Sequence, residues 1–66
     1  MNIELGQEAD DRWLAEVPEL PGVLAYGSTR EVALLQALAL VLRGITERLE
    51  HGEAVPELTA LFAVAA

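Results

Sequence analysis

Five consecutive residues, Pro18-Glu19-Leu20-Pro21-Gly22, constrain this 66-residue chain more than any other segment. Each proline removes a backbone donor, so no strand ladder runs through them, and Pro21-Gly22 suits the central positions of a type II turn with Gly22 at positive φ. The chain must reverse here, and what lies on either side belongs to separate elements.

Upstream, Arg12 to Val17 alternates, with Trp13, Ala15 and Val17 on one face and Arg12, Leu14 and Glu16 on the other. Before it, Met1, Ile3 and Leu5 alternate with Asn2, Glu4 and Gly6, and the polar stretch Glu8-Ala9-Asp10-Asp11 has the length of a hairpin connection. Downstream, Val23 to Gly27 reads as a short third strand, Val23 and Ala25 on one side, Leu24 and Tyr26 on the other. Three antiparallel strands in meander order are the simplest arrangement.

Ser28-Thr29-Arg30-Glu31 then has the form of a capping box, with Ser28 as the cap and Glu31 reaching back. Leucine and alanine dominate the residues that follow, and Gly52 after His51 offers a stop, so the pattern predicts a helix over about Thr29 to Glu50, with Gly44 its weak point. At 100° per residue Leu34, Leu35, Leu38, Val41, Leu42, Ile45 and Leu49 form one stripe, which is expected to cover the sheet. Nearly opposite lie Ala33, Ala37, Leu40 and Gly44, where a solvated helix would carry charge. They are either a chance run of alanines or a second contact face, small enough for another helix or a partner chain to approach closely, and so a candidate oligomer face.

Beyond Pro56, Leu58 to Ala66 is apolar almost throughout. Pro56-Glu57 suits the first turn of a short helix, whereas Leu61, Phe62 and Val64 favour a strand. The strand is preferred, because three strands and one helix leave a sheet edge unpaired. The expected fold class is therefore α+β: a three-stranded antiparallel meander, one long helix packed on one face, and a fourth strand, in the order β-β-β-α-β.

A chain this short hides only about 60% of its unfolded surface and is marginal alone. It has no cysteine and one histidine, which rules out a disulfide framework or a zinc cluster as reinforcement. At 53% hydrophobic, it is expected to associate with another chain, as a homo-oligomer (dimer or tetramer) or with a partner. Eleven acidic residues against four arginines give a formal net charge of −7, the wrong sign for holding nucleic acid and the right one for attracting a basic protein. The first residues lack a positively charged leader, and the longest apolar stretch, Val32 to Leu42, is too short to span a bilayer, so a cytoplasmic protein with no membrane role is expected.

Catalytic signals are weak. His51, the sole histidine, stands near the end of the expected helix beside Glu47 and Glu53, where a solvated residue favoured by the helix dipole is the plain reading. Asp10 and Asp11 are adjacent carboxylates that read as a solvated hairpin tip rather than an acid–base pair. Gly22 and Gly27 stand alone, without a phosphate loop. Trp13 and Tyr26 on neighbouring strands are either a binding platform or ordinary half-buried packing. No enzyme, cofactor or metal is expected.

The segment Arg12-Trp13-Leu14-Ala15-Glu16-Val17-Pro18-Glu19-Leu20-Pro21-Gly22-Val23, followed by Ala25-Tyr26-Gly27-Ser28-Thr29-Arg30-Glu31 and Ala33, resembles the HicB-like antitoxin family. That family's core is an aromatic strand ending in a Pro-acidic-Leu-Pro-Gly turn, a short strand, then Gly-x-Thr-x-x-Glu-Ala opening a helix. Val32 stands where a second glutamate often precedes the alanine, a small departure in a match covering about residues 2 to 64. The resemblance implies a β-β-β-α-β domain related to a partly degraded ribonuclease H fold. It also implies an antitoxin of a type II toxin–antitoxin system, which covers the active site of a small basic HicA-type mRNA-cleaving toxin. Many members add a C-terminal DNA-binding module; here the expectation is one HicB-like domain over residues 1–66 without it. On this reading Glu8, Asp10, Asp11, Trp13, Glu16, Glu19 and Tyr26 are the candidate toxin-binding residues. The alternative is a solitary homo-oligomeric interaction protein with no toxin, using Ala33, Ala37, Leu40 and Gly44. A nuclease surviving from ribonuclease H ancestry is the weakest reading, since it needs several carboxylates converging on two metals.

Overall fold

A computed structural model of the chain describes residues 1–63. Strands β1 (Glu4–Gln7), β2 (Trp13–Glu16) and β3 (Leu24–Gly27) form one antiparallel sheet in the order β1-β2-β3, followed by helix α1 (Arg30–Glu50) and the short helix α2 (Pro56–Thr59). The fold is α+β with the expected β-β-β-α order.

The punctuation works much as the residues dictate. The Val23 amide donates to the Leu20 carbonyl at 3.1 Å, closing a turn with Pro21 and Gly22 at its centre and Gly22 at φ 88°. A second turn sits just before it, where the Leu20 amide donates to Val17 at 3.0 Å. In the β1–β2 connection the Asp11 amide donates to Glu8 at 3.0 Å and the Glu8 amide to Arg12 at 2.7 Å, with Asp11 left-handed at φ 70°. This is a type I turn followed by a left-handed residue, a standard device of hairpins with more than two loop residues.

The helix cap lies one residue later than expected. Thr29, not Ser28, is the cap: it is extended at φ −130°, and its hydroxyl accepts from the Val32 amide at 3.1 Å. Both hydroxyls are competent caps; the one that stands three residues before a free amide in this geometry takes the role. At the other end Gly52 is left-handed at φ 78°, its amide donates to Leu49 at 3.0 Å, and the Glu53 amide donates to Arg48 at 2.9 Å. These two bonds are the Schellman closure that Gly52 promises.

The preferred fourth strand is absent among the described residues. Pro56 opens α2 instead, its missing donor costing nothing at the first helical position, and the amides of Leu61 and Phe62 donate back to Leu58 and Thr59. Local backbone chemistry at Pro56 therefore outweighs the β propensity of Leu61 and Phe62. The last part of the expected strand, residues 64–66, lies outside the described residues.

The larger correction concerns which face of α1 meets the sheet. Ala33 and Ala37, each 0% exposed, pack on Ala15 and Ala25, which pair directly across β2 and β3, and Leu40 joins this cluster. The small-residue face is thus the inner one, and the leucine stripe points away: Leu35 is 55%, Leu38 39%, Leu42 60% and Leu49 49% exposed. Two features set this rotation. Only Ser28 and Thr29 separate β3 from α1, so the start of the helix is pinned against the strand it leaves. A Cβ built on Gly27 would fall 2.9 Å from the Val32 carbonyl carbon and closer still to the Ala33 amide, so the approach leaves no room for bulk. Against a sheet centred on two alanines, small side chains let the backbones come close, and leucines there would hold them apart.

The resulting core is thin. Among the described residues the buried apolar ones are Ala15, Val17, Leu20, Ala25, Ala33, Ala37, Ile45 and Val55, and the largest fully buried side chain is Val17. The accessible surface is 4926 Å², against about 4,100 Å² for a compact monomer of this mass. The radius of gyration of 14.0 Å likewise exceeds the roughly 11 Å expected of 66 compact residues. Much of the excess arises because α1, about 31 Å long, is packed on strands of only four residues each.

Candidate functional site

The face of the sheet turned away from α1 collects the side chains that alternate with the core. The register sets Glu4 opposite Glu16, Gly6 opposite Leu14, Leu14 opposite Tyr26, and Glu16 opposite Leu24. All are on one surface, since directly paired residues share a face. Leu24 and Tyr26 are 41% and 43% exposed, Leu14 is half-buried, and Glu4, Leu5, Gly6, Leu14 and Glu16 line a shallow hollow of about 190 Å³ at one edge.

Glu4 and Glu16 are like charges placed directly across a ladder, an arrangement that disfavours the pairing unless a cation sits over it. None of the chain's own arginines comes within ion-pair distance of either among the described residues. Arg12, the only arginine near this surface by sequence, is engaged by Asp10 and by the Tyr26 ring. Its Nε donates to an Asp10 carboxylate oxygen at 2.7 Å, and its guanidinium lies 4.6 Å from the Tyr26 ring centroid. The ring is thus covered by a cation of the same chain, a contact worth on the order of 0.5–1 kcal/mol at an exposed position.

The turn acids fall into two groups. Glu8, Asp10 and Asp11 are exposed at the β1–β2 connection. The Arg12 backbone amide donates to Asp10 Oδ1 at 3.3 Å, and together with the Arg12 side chain and its charge it holds the Asp10 carboxyl below the ordinary aspartate range. Glu19 is exposed in the turn beyond the other end of β2, with the Asn2 amide 3.4 Å from both its carboxylate oxygens. Negative charge therefore flanks the open face at both ends, with the Glu4–Glu16 pair on the last rung of the ladder, at the Glu19 end.

Of the seven candidate partner-binding residues, Glu16 and Tyr26 share the open face, and Glu8, Asp10, Asp11 and Glu19 lie in its flanking turns. Trp13 does not join them. It pairs with Gly27 on the opposite surface and packs against the alanine core, so Trp13 and Tyr26 are not a platform. Adjacent strands had suggested proximity, but the register gives the two rings opposite parity. Glu4, Leu14 and Leu24 belong to the surface and were missed; the period-two pattern carried them once the hairpin register was known. Ala33 and Ala37 are removed from the candidate oligomer face, since both are fully buried within their own chain, and Leu40 is half-buried against them.

His51 is exposed at the end of α1, its amide donating to Glu47. Among the described residues no three histidine, cysteine or acidic side chains group as metal ligands, and no helix is long and apolar enough to cross a membrane. Comparison with protein-family models, with curated proteins and with solved structures finds no match to this chain.

Proposed function

We propose that this chain is a protein-binding module of HicB-like type, whose open sheet face receives a small basic protein, an mRNA-cleaving toxin of HicA type, and covers its active site. The observation that carries the reading is the Glu4–Glu16 pair: two carboxylates opposed across the ladder, bordered by Leu14, Leu24 and Tyr26, with no ion pair to either among the described residues, since Arg12 is held by Asp10 and over the Tyr26 ring. Such a surface offers an apolar centre with a charge that a lysine or arginine of a partner would neutralise, and the turn acids at either end extend the attractive field. The net charge of −7 acts in the same sense by steering a cationic partner toward it. The module works by occupancy and not by catalysis, in the cytoplasm where its toxin would act. The punctuated segment from Arg12 to Ala33 supports the family assignment, and the observed β-β-β-α order agrees with the first four elements of the fold that the resemblance implies, while α2 begins where that fold has its fourth strand.

The test is co-expression with any short basic protein encoded beside this chain, followed by co-purification at low salt and by growth rescue. The expected result is a complex that weakens steeply with salt, and loss of rescue by Glu16→Lys with the circular dichroism of the free protein unchanged. Failure of any such protein to bind at low salt, or full binding and rescue by Glu16→Lys together with Glu4→Lys, would overturn the reading.

A further inference from the structure

The outward side of α1 has an order that its sheet-facing side lacks. Leu35, Leu38, Leu42, Ile45 and Leu49 follow one another at spacings of three, four, three and four, the seam of a heptad repeat carried through two heptads. The flanking positions Ala39 and Thr46 on one side, Leu34 and Val41 on the other, carry no charge; Arg48 is the first that does. Ile45, 8% exposed, is covered by its own chain, while the four leucines are not. The seam opens into an apolar groove of about 300 Å³ between α1, α2 and the chain start, which Leu38, Leu42 and Ile45 line together with Met1 and Leu61.

We infer that the occupant of this face is a second copy of the same chain, the two α1 helices packing seam to seam about a two-fold axis near Leu42. Three observations select a copy over a different protein. Among the described residues the core of a single chain is eight residues, half of them alanine, so the missing burial is needed whenever the chain folds and not only when a partner is made. The area suffices: the four leucines with Met1 and Leu61, 45% and 76% exposed, offer on the order of 600 Å² per chain, and a pair hides on the order of 1,200 Å², within the range of specific interfaces. Finally, the seam has no charge with which to choose a foreign partner, and it is centred on Leu42, so a two-fold there sets leucine against leucine. Because α1 lies between this face and the sheet, the dimer leaves both open sheet faces uncovered, and its failure would leave the proposed toxin contact untouched.

The chain has no cysteine, which makes single-cysteine cross-linking unambiguous. Leu42→Cys is expected to give a covalent dimer rapidly on mild oxidation, and Gln36→Cys, exposed on the same helix but off the seam, is expected to remain largely monomeric. The unsubstituted protein is expected to sediment as a dimer, with a melting temperature that rises about 5 °C for each tenfold increase in concentration. This measurement needs no variant to fold. A wild-type chain that sediments as a monomer with a concentration-independent melting temperature overturns the inference, as does equal cross-linking at both positions; a monomer that dimerises only with a foreign protein on this face overturns it too.

Discussion

Replacing Ala37 by leucine tests the orientation of α1, because the two possible faces predict opposite signs. Ala37 is 0% exposed and meets Ala15, Ala25 and the turn above it, Ala33. Leucine adds three carbons. Buried without strain, they would stabilise the chain by about 2.4 kcal/mol at roughly 0.8 kcal/mol for each carbon. In a contact built of alanines they have nowhere to go, and overpacking of this kind costs about 1–3 kcal/mol instead. Helix propensity barely changes between the two residues, so it does not blur the sign. For a domain of this size each kcal/mol moves the melting temperature by about 4–8 °C, and a fall of roughly 10 °C is expected in far-ultraviolet circular dichroism at fixed protein concentration. Gln36→Leu, the same side chain added one position away at an exposed site, is the control and should stay within about 0.5 kcal/mol of the parent. A melting temperature for Ala37→Leu equal to or above the parent would refute the packing described here and return the leucine stripe to the sheet.

Gly27→Ala should destabilise by about 1–3 kcal/mol in urea titration, because the new methyl meets the Val32 backbone and the Ala33 amide, neither of which can swing aside. Thr29→Ala should cost about 1 kcal/mol while Ser28→Ala costs little, since the Thr29 hydroxyl is the one bonded to the Val32 amide; the reverse order would restore Ser28 as the cap. Asp10 should titrate by NMR below an ordinary aspartate, and Arg12→Ala should move it back toward that value. As the folded form holds the proton less tightly than the unfolded one, this contribution to stability is present above the unfolded pKa and fades as pH falls through the folded one.

The strands and the turn between the second and third were legible because alternation and proline chemistry are local. Trp13 to Glu16 and Leu24 to Gly27 need only a period of two and a donor-free interruption between them. Gly52 likewise announced the end of α1 through the one backbone conformation it tolerates best. The inner face of α1 was not legible in the same way. A periodicity argument ranks faces by greasiness, and the leucine stripe wins that ranking easily, whereas the sheet accepts whichever face is small enough to approach Ala15, Ala25 and Gly27. Steric fit between elements distant in sequence has no periodic signature. The open sheet face suffered a related loss: Glu4 and Glu16 stand twelve positions apart, and only the register of the first hairpin makes them neighbours. Pro56 shows the opposite case, where a local cue was present and the demand for a paired sheet edge was given more weight than it merited.

The alanine contact between sheet and helix also determines how this chain can change over time. At positions 15, 25, 33 and 37 a larger side chain would have to enter a buried contact built of alanines, and at 27 even a methyl group meets backbone, so drift at these five sites is narrowly limited. The exposed leucines face no such limit within one chain, and nothing inside the fold prevents their replacement. Descendants of this sequence would therefore be held to their small residues by the fold of one chain, and to their outer leucines only by the contact between copies, the reverse of the usual expectation for a helix on a sheet. A relative could differ at most of its hydrophobic positions and still preserve the same packing, recognisable chiefly by where its side chains are missing.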